Sequence, residues 1–462
     1  MFHRLPIDSK SNKFIHSYLF QCLVAVSFFI GWYFGLGEIG LATVVVAVVI
    51  SLIFTDDGAV MGSYFLYAMF TFAMFPYFNT IPWYLYAEIG VYVAGIIAFL
   101  VKRIITHNCY FNFGSIGLSL VLLLVTFFAA TLVRQFTSTN LPSEYNNIAY
   151  ITCGLFALLV LFYFVFHLTT DEGNEKLVYK TFYIVNILVL AELFVVIPKA
   201  KFFDEIFILT RWGSKNTVAI VLEMCIPFVA FIFAKNKWRI DALLIIAVDL
   251  YFVTVSDSRG GIISIAVLIP LLIHILLSRL KDKKYIYPTV LVSIVVTVFV
   301  VYESVPSFKE SIDRLIALGD NLSGRWDIWK SALEYAFGKE GSFSGNIYFG
   351  GGVQALFDLF PIYGFGYETG SIGIWLCHNT VITVLCASGF VGAAMFIYHM
   401  VEIFVANYKA KMFSRTALLY FVLIGVIHGI IDNTFFNIIY LVPYIWIFSL
   451  RGVTSFKLLG KY

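Results

Sequence analysis

Long apolar runs alternate with short polar connections along almost the whole chain. An α-helix needs about 20 apolar residues to cross the hydrocarbon of a bilayer, and many of the runs approach that length. Counting them predicts about fourteen transmembrane helices. The predicted spans are 14–36, 39–55, 59–78, 82–101, 114–133, 147–168, 178–198, 217–234, 240–257, 260–278, 285–303, 379–405, 414–432 and 436–450. The pattern therefore predicts an all-α polytopic membrane protein.

One interval departs from this pattern, because residues 304–377 are largely polar and rich in glycine. Long connections between helices are usually functional. Apolar residues recur within it at helical spacing, at Trp326, Trp329, Leu333, Ala336 and Phe337. This spacing predicts an amphipathic helix at the membrane interface, with tryptophan at the depth of the lipid headgroups. We therefore predict one large loop that contains short interfacial helices.

Composition excludes a soluble protein, because 60% of the residues are hydrophobic and only 13% are charged. The net charge of +3 gives no reason to expect a nucleic-acid partner. The six cysteines form no Cys-x-x-Cys motif and no cluster with histidine. We therefore predict neither a disulfide framework nor a metal site, and no other cofactor. The first apolar run is too long for the core of a signal peptide, so it is interpreted as a helix.

The distribution of lysine and arginine predicts the orientation, since basic connections face the cytoplasm. With the N-terminus inside, the basic clusters at 102–103, 235–239, 279–284, 409–415 and 457–461 all fall on that side. Both termini are then cytoplasmic and the 304–377 loop lies on the opposite face. One opposite connection, 199–216, is also basic and contains Arg211 and Lys215. It indicates either an anionic ligand on that face or a tolerated exception to the rule.

His378 is the first candidate for chemistry, because it precedes Asn379 at the mouth of a predicted span. Gly389 follows eleven residues later, about three helical turns and roughly 16 Å, so we expect both residues on one helix face. Gly389 and Gly392 would let another helix approach closely. A neutral imidazole accepts a proton from a hydroxyl near physiological pH. The alternative is an interfacial histidine that hydrogen-bonds a loop carbonyl.

Arg259 is the second candidate, in a short turn between two apolar runs. An arginine at that depth is costly unless it meets a carboxylate, a carbonyl or an anionic ligand. Gly260 and Gly261 open the next run and would remove side chains that block a ligand. A guanidinium holds phosphate oxygens in a bidentate manner. The alternative is a structural pair between Asp257 and Arg259.

Arg325 is the third candidate, since it would stand beside lipid phosphates at the start of the predicted interfacial helix. The alternative is an ordinary arginine that extends its head group to the interface. A glycine-rich run at 341–352 follows, without the Gly-Lys-Ser/Thr ending of a phosphate-binding P-loop. We interpret this run as a mobile flap.

Four motifs occur together in one order and spacing. They are Ser-Arg-Gly-Gly at 258–261, Ser-Gly-Arg-Trp at 323–326, Pro-x-x-Gly-x-Gly at 361–366, and His-Asn with Gly-x-x-Gly after nine residues at 378–392. This combination resembles the O-antigen ligase and polymerase superfamily over about residues 211–406. Two departures are Lys-Asn-Thr at 215–217, where relatives often have Asn-Pro-Asn, and Ala-Ala after Gly392, where ligases often continue with Thr.

The resemblance implies a membrane glycosyltransferase with a metal-independent, inverting mechanism. Its donor would be a glycan on undecaprenyl diphosphate, and its acceptor a second lipid-linked glycan or lipid A–core. By carry-over, Arg259 and Arg325 would hold the diphosphate and His378 would be the general base. The basic residues Arg211 and Lys215 would add to diphosphate binding, and the supporting residues would be Asn379, Gly260, Gly389 and Gly392. Trp326 and Trp329 would line a lipid entrance in the bacterial inner membrane, with the loop in the periplasm.

The chain is divided accordingly into N-terminal transmembrane helices at 1–210, the superfamily core at 211–406 and C-terminal helices at 407–462. The number of spans and the N-terminal extension favour an O-antigen polymerase over an O-antigen ligase. A polymerase would also have membrane lipids and a chain-length regulator protein as partners. A lipid-linked oligosaccharide flippase and a passive channel are the alternatives from other classes. The long loop and the histidine at its exit argue against both.

Overall fold

The computed structural model describes residues 13–72, 82–106, 114–137, 143–169, 175–200, 210, 212, 215–235, 239–256, 258–277, 309, 313, 325–337, 347–355, 377–408, 412–431, 434–436 and 438–450. These residues are overwhelmingly helical, and no β-strand occurs among them. The helices are α1 (Tyr18–Phe34), α2 (Gly37–Phe54), α3 (Ala59–Phe72), α4 (Trp83–Thr106), α5 (Gly114–Thr137), α6 (Ser143–Thr169), α7 (Glu175–Val196), α8 (Lys215–Lys235), α9 (Ile240–Val255), α10 (Arg259–Leu277), α11 (Arg325–Ala336), α12 (Thr380–Tyr408), α13 (Met412–Tyr420) and α14 (Ile438–Ser449).

The predicted all-helical membrane architecture is confirmed for the described part of the chain. Seven of its helices are long and apolar enough to cross a membrane: α2, α4, α5, α6, α7, α8 and α12. Other helices, such as α1 and α3, are apolar but shorter. The predicted span 285–303 lies outside the described residues. The count of about fourteen spans therefore stays a prediction.

Burial separates the inner helices from the outer ones. In α8, 83% of the membrane-length window is buried, against 28% in α4 and 33% in α2. A helix that is apolar on all sides and also buried lies in the core of a large helical assembly. The outer helices instead expose large apolar side chains, such as Val46 and Ile105, as a lipid-facing surface would. Helix α8 packs against α7, α9 and α10, and α12 packs along α5.

Helix α12 is interrupted at Gly389, whose φ of 61° and ψ of −161° are not helical. Residues 347–351 lie against this break. Phe390 N–H donates to the carbonyl of Ile347 (3.1 Å), Val391 N–H donates to that of Tyr348 (3.0 Å), and Gly351 N–H donates to that of Cys386 (2.9 Å). The loop thus satisfies backbone groups that the break would leave without partners inside a membrane protein.

This docking corrects the interpretation of 341–352 as a mobile flap for the residues from 347 onwards. Gly350 and Gly352 are buried and both have a φ of 66°. A Cβ on Gly350 would lie 2.5 Å from the backbone nitrogen of Gly389. Glycine is therefore present here for a close backbone contact at positive φ, not for mobility. Residues 341–346 lie outside the described residues.

Helix α13 continues into a π-helical segment at Phe421–His428 and then into one further turn at Gly429–Ile431. π-Helical turns are rare and are found frequently at functional sites. The segment packs against α10. Its last residue, His428, is buried. A buried histidine is thereby brought to the side of α10.

Candidate active site

His378 lies in the turn immediately before α12, half-buried, and α12 begins at Thr380. Its φ of 48° places it in the left-handed region, which is uncommon for a residue other than glycine. The expectation that His378 and Gly389 share a helix face is wrong. His378 precedes the first helical turn, and Gly389 itself leaves helical geometry. Backbone strain of this kind tends to occur at functional sites, because the surroundings must hold it in place.

Asn379 fixes the His378 turn to two neighbours. Its side-chain Oδ1 accepts the N–H of Ile382 (3.0 Å), which caps the start of α12. Its Nδ2 donates to the carbonyl of Ile430 (3.0 Å). The hydroxyl of Thr383 donates to the carbonyl of Asn379 (2.8 Å) and accepts the N–H of Cys377 (3.3 Å). The turn is therefore held on both sides of His378.

The predicted amphipathic helix is confirmed as α11, whose first residue is the half-buried Arg325. Its buried face consists of Ile328, Ala332, Tyr335 and Ala336. The two tryptophans differ, because Trp326 is 61% exposed whereas Trp329 is partly buried. Trp329 Nε1 donates to the carbonyl of Cys377 (2.9 Å). Arg325 thus precedes Trp329 by about one turn of α11, and Trp329 makes the hydrogen bond that holds the segment around His378.

The first turn of α10 carries Arg259, Gly260 and Gly261. Ser258, buried just before it, accepts the N–H of Ile262 on its carbonyl (2.9 Å) and that of Gly261 on its hydroxyl (3.3 Å). This arrangement caps the helix. Asp257, the alternative partner of Arg259, lies outside the described residues.

The expectation that the two glycines open a space for a ligand is wrong, because protein side chains occupy that space. A Cβ on Gly260 would lie 2.7 Å from Nε2 of His428. A Cβ on Gly261 would lie 2.9 Å from Oε1 of Glu223. His428 Nδ1 and Glu223 Oε2 are 3.1 Å apart, and both side chains are buried. Glycine is required here because an acid–histidine pair packs directly against the backbone of α10.

Residues 428–430 connect the start of α10 with the start of α12. On one side, the His428 ring meets Gly260, and on the other, the Ile430 carbonyl accepts the Asn379 amide. A Cβ on Gly429 would lie 3.3 Å from the Thr380 hydroxyl. The Ser-Arg-Gly-Gly motif, the His-Asn motif and α11 are therefore brought to one region of the fold.

The basic connection predicted at 199–216 is only partly described. Arg211 lies outside the described residues, and Lys215 is the half-buried first residue of α8. Between them, Trp212 is buried and its Nε1 donates to Oε2 of Glu192 on α7 (2.6 Å). Lys215 stands on the helix that also carries Glu223, about 12 Å along the axis at 1.5 Å per residue.

Three basic residues stand first in their helices: Lys215 in α8, Arg259 in α10 and Arg325 in α11. A helix N-terminus carries about half a positive charge, so a cation there is electrostatically unfavourable. An anion near the helix starts would relieve this unfavourable interaction. No group of three or more histidine, cysteine, aspartate or glutamate residues is arranged to hold a metal ion within the described part of the chain.

Sequence reasoning missed the Glu223–His428 pair. The two residues are 205 positions apart, so no local spacing connects them. The available signal was that each is a single ionisable residue in an apolar run, which is expensive unless it has a partner inside the protein. Of the remaining predicted residues, Gly392 lies in α12, where a Cβ would come within 3.8 Å of the Thr126 hydroxyl of α5.

Comparison with known protein families gives a match within the chain. Residues 242–397 match a family model described as O-antigen ligase. The match begins in α9 and includes α10, α11 and α12 as far as residue 397. A search of curated proteins finds no match to the chain. Through residues 242–397, the chain carries a domain of the O-antigen ligase and polymerase superfamily.

Proposed function

We propose that this protein is a membrane glycosyltransferase that polymerises oligosaccharide repeat units carried on undecaprenyl diphosphate. The observation that carries the proposal is that three basic residues, Lys215, Arg259 and Arg325, stand at helix starts. An oligosaccharide diphosphate lipid supplies the anion that these helix starts favour. It also supplies a sugar that can be transferred to a hydroxyl without any cofactor.

In the proposed reaction, an acceptor hydroxyl attacks the anomeric carbon of the donor sugar. The bond between that carbon and the diphosphate oxygen breaks, and its electron pair stays on the diphosphate. Arg259 and Arg325 stabilise the charge that develops there, with Lys215 and Arg211 contributing to diphosphate binding. His378 takes the proton of the hydroxyl as general base. One displacement inverts the anomeric configuration and needs no metal ion.

The fixed turn supports this role for His378. General-base catalysis requires an imidazole held within hydrogen-bonding reach of the reacting hydroxyl. Asn379 and Trp329 hold the backbone on either side of His378. Gly389 supports the site more remotely, because it lets residues 347–351 dock on α12. The exposed Trp326 is the proposed lipid-facing residue of α11.

The second candidate is an O-antigen ligase, the activity after which the matching family model is described. The two reactions share the donor and differ in the acceptor, which is lipid A–core in the ligase and a second lipid-linked glycan in the polymerase. We prefer the polymerase because of the N-terminal helices that precede the superfamily core. In this proposal residues 211–406 form the core, the 304–377 loop is periplasmic, and a chain-length regulator binds the protein in the inner membrane.

Surface glycan in a deletion strain tests the proposal. The strain is complemented with the wild-type gene, with Arg259→Ala or with Arg325→Ala, and its lipopolysaccharide is separated on a gel. A polymerase predicts a single repeat unit on lipid A–core in the deletion strain, and a ladder restored only by the wild type. Bare core together with long chains on the lipid carrier would identify a ligase. An unchanged ladder in the deletion strain would exclude both functions.

A further inference from the structure

Glu223 and His428 form a buried acid–histidine pair directly behind the first turn of α10. Their side chains are 0% and 1% exposed, and Nδ1 of His428 lies 3.1 Å from Oε2 of Glu223. Two ionisable groups inside an apolar helix bundle are costly to bury and are rarely kept without a use. The pair plays no part in the proposed chemistry, because neither side chain is open to a substrate.

The pair contacts the backbone where it carries Arg259. The His428 ring occupies the place of a side chain on Gly260, since Nε2, Cδ2 and Cε1 all lie within 2.9 Å of the Cβ position. Oε1 of Glu223 lies 2.9 Å from the Cβ position of Gly261. That oxygen makes no hydrogen bond within the described part of the chain. Two consecutive glycines beside Arg259 are thus matched to two buried polar side chains.

The same segment reaches the His378 turn. Ile430, two residues after His428, accepts the Asn379 amide at 3.0 Å. Gly429, between them, packs against Thr380. The π-helical segment that ends at His428 therefore lies between the start of α10 and the start of α12. A shift of His428 would change the distance between Arg259 and His378.

We propose that Glu223 and His428 are positioning residues that set the first turn of α10, and with it Arg259, relative to the His378 turn. This inference rests on the proposed function, in which Arg259 binds the donor diphosphate. Glu223 holds the imidazole through Nδ1, and the imidazole supports the backbone at Gly260. Because Gly260 has no side chain, the His428 ring packs directly against the backbone of α10. The ring therefore sets the distance between that backbone and the segment that carries His428.

Binding of undecaprenyl diphosphate to the purified protein in lipid nanodiscs tests the inference. We expect His428→Ala to weaken this binding by about tenfold or more, because a displacement of about 1 Å in a binding group is costly. Gly260→Ala should weaken it similarly, since the new methyl group would meet the ring 2.7 Å from Nε2. His428→Gln, which keeps a side chain of similar length and a donor for Glu223, should restore most of the affinity.

The double variant Gly260→Ala/His428→Ala gives the most specific test of whether the ring and Gly260 act together. If the ring and Gly260 act as one unit, Gly260→Ala should cause little further loss in the His428→Ala background, because the ring it would meet is gone. Losses that multiply would overturn the inference. So would a dissociation constant in His428→Ala equal to that of the wild type. Where His428→Ala does not fold, Gly260→Ala alone is compared with the wild type, and an equal dissociation constant would overturn the inference.

His399→Ala is the matched control for general destabilisation. His399 is also fully buried and bonds Ser119 through Nδ1 (2.7 Å) and Tyr444 through Nε2, within the bundle of α5, α12 and α14. We expect it to lower thermal stability without changing the affinity for undecaprenyl diphosphate. An equal loss of affinity in His399→Ala would overturn the inference. If the wild type neither binds the probe nor transfers glycan, the proposed function itself fails.

Discussion

At the scale of single residues, Asn379 joins two elements of the site through one side chain. Its Oδ1 caps α12 and its Nδ2 donates to Ile430. We expect Asn379→Ala to lower the stability of the folded protein by about 1–2 kcal/mol, since both hydrogen bonds are lost. Asn379→Ser keeps a capping oxygen but cannot reach Ile430. The thermal unfolding midpoint should therefore be highest in the wild type, lower in Asn379→Ser and lowest in Asn379→Ala. Equal midpoints for the two variants would contradict the capping role.

Gly389 is a second position at which the stability of the fold depends on one residue. Its φ and ψ lie in a region that only glycine adopts readily, and a Cβ would lie 2.5 Å from backbone atoms of Gly350 and Tyr348. We expect Gly389→Ala to cost at least about 1–3 kcal/mol of stability. Gly90→Ala in α4 is the control, because nothing lies within 4 Å of its Cβ position. Unfolding of both variants in detergent checks this, and a Gly389→Ala protein as stable as Gly90→Ala would contradict the account.

At the scale of elements, α11 acts as a support for the His378 turn. Trp329→Phe keeps the aromatic packing but removes the donor to the Cys377 carbonyl. Leaving that buried acceptor without a partner should cost about 1–3 kcal/mol. We expect a lower rate of glycan transfer, because the turn that carries His378 loses a constraint. Trp83→Phe, at the 64% exposed start of α4, should keep the wild-type rate. Equal rates in both variants would show that the Trp329 bond does not support the turn.

The helices themselves were largely predictable from the sequence, and their interruptions were not. A bilayer demands long apolar runs, so the runs alone gave most helix positions. The spacing of apolar residues likewise predicted α11. The break at Gly389 depends on hydrogen bonds from residues 347–351, which sequence spacing does not reveal. The helical register assumed between His378 and Gly389 failed because His378 precedes the first turn of α12 and Gly389 leaves helical geometry.

At the scale of the whole molecule, the candidate site combines segments far apart in the chain. The basic and histidine motifs were recognisable because each is local in sequence. Their convergence depends on Glu223, His428 and Ile430, which lie in apolar helices and carry no motif of their own. Long-range pairs of this kind cannot be read from one sequence, since any two buried ionisable residues are equally plausible partners.

Membrane orientation is also a property of the whole molecule. The positive-inside rule predicts the 304–377 loop outside and the connection between α12 and α13 inside. In a variant without native cysteines, Ser344→Cys should react with a membrane-impermeant maleimide in spheroplasts. Lys411→Cys should react only after permeabilisation. The reverse pattern would contradict the orientation and the periplasmic placement of the active site.

The most direct test of the central claim is the initial rate of glycan transfer by the purified protein in EDTA, with wild type, His378→Ala and His167→Ala compared. We expect activity in the wild type and in His167→Ala, because the His167 ring of α6 hydrogen-bonds the Ser449 carbonyl at the end of α14. His378→Ala should lose about 10²–10⁴-fold, the usual contribution of a general base. Full activity in His378→Ala would contradict the claim that His378 accepts the proton of the attacking hydroxyl.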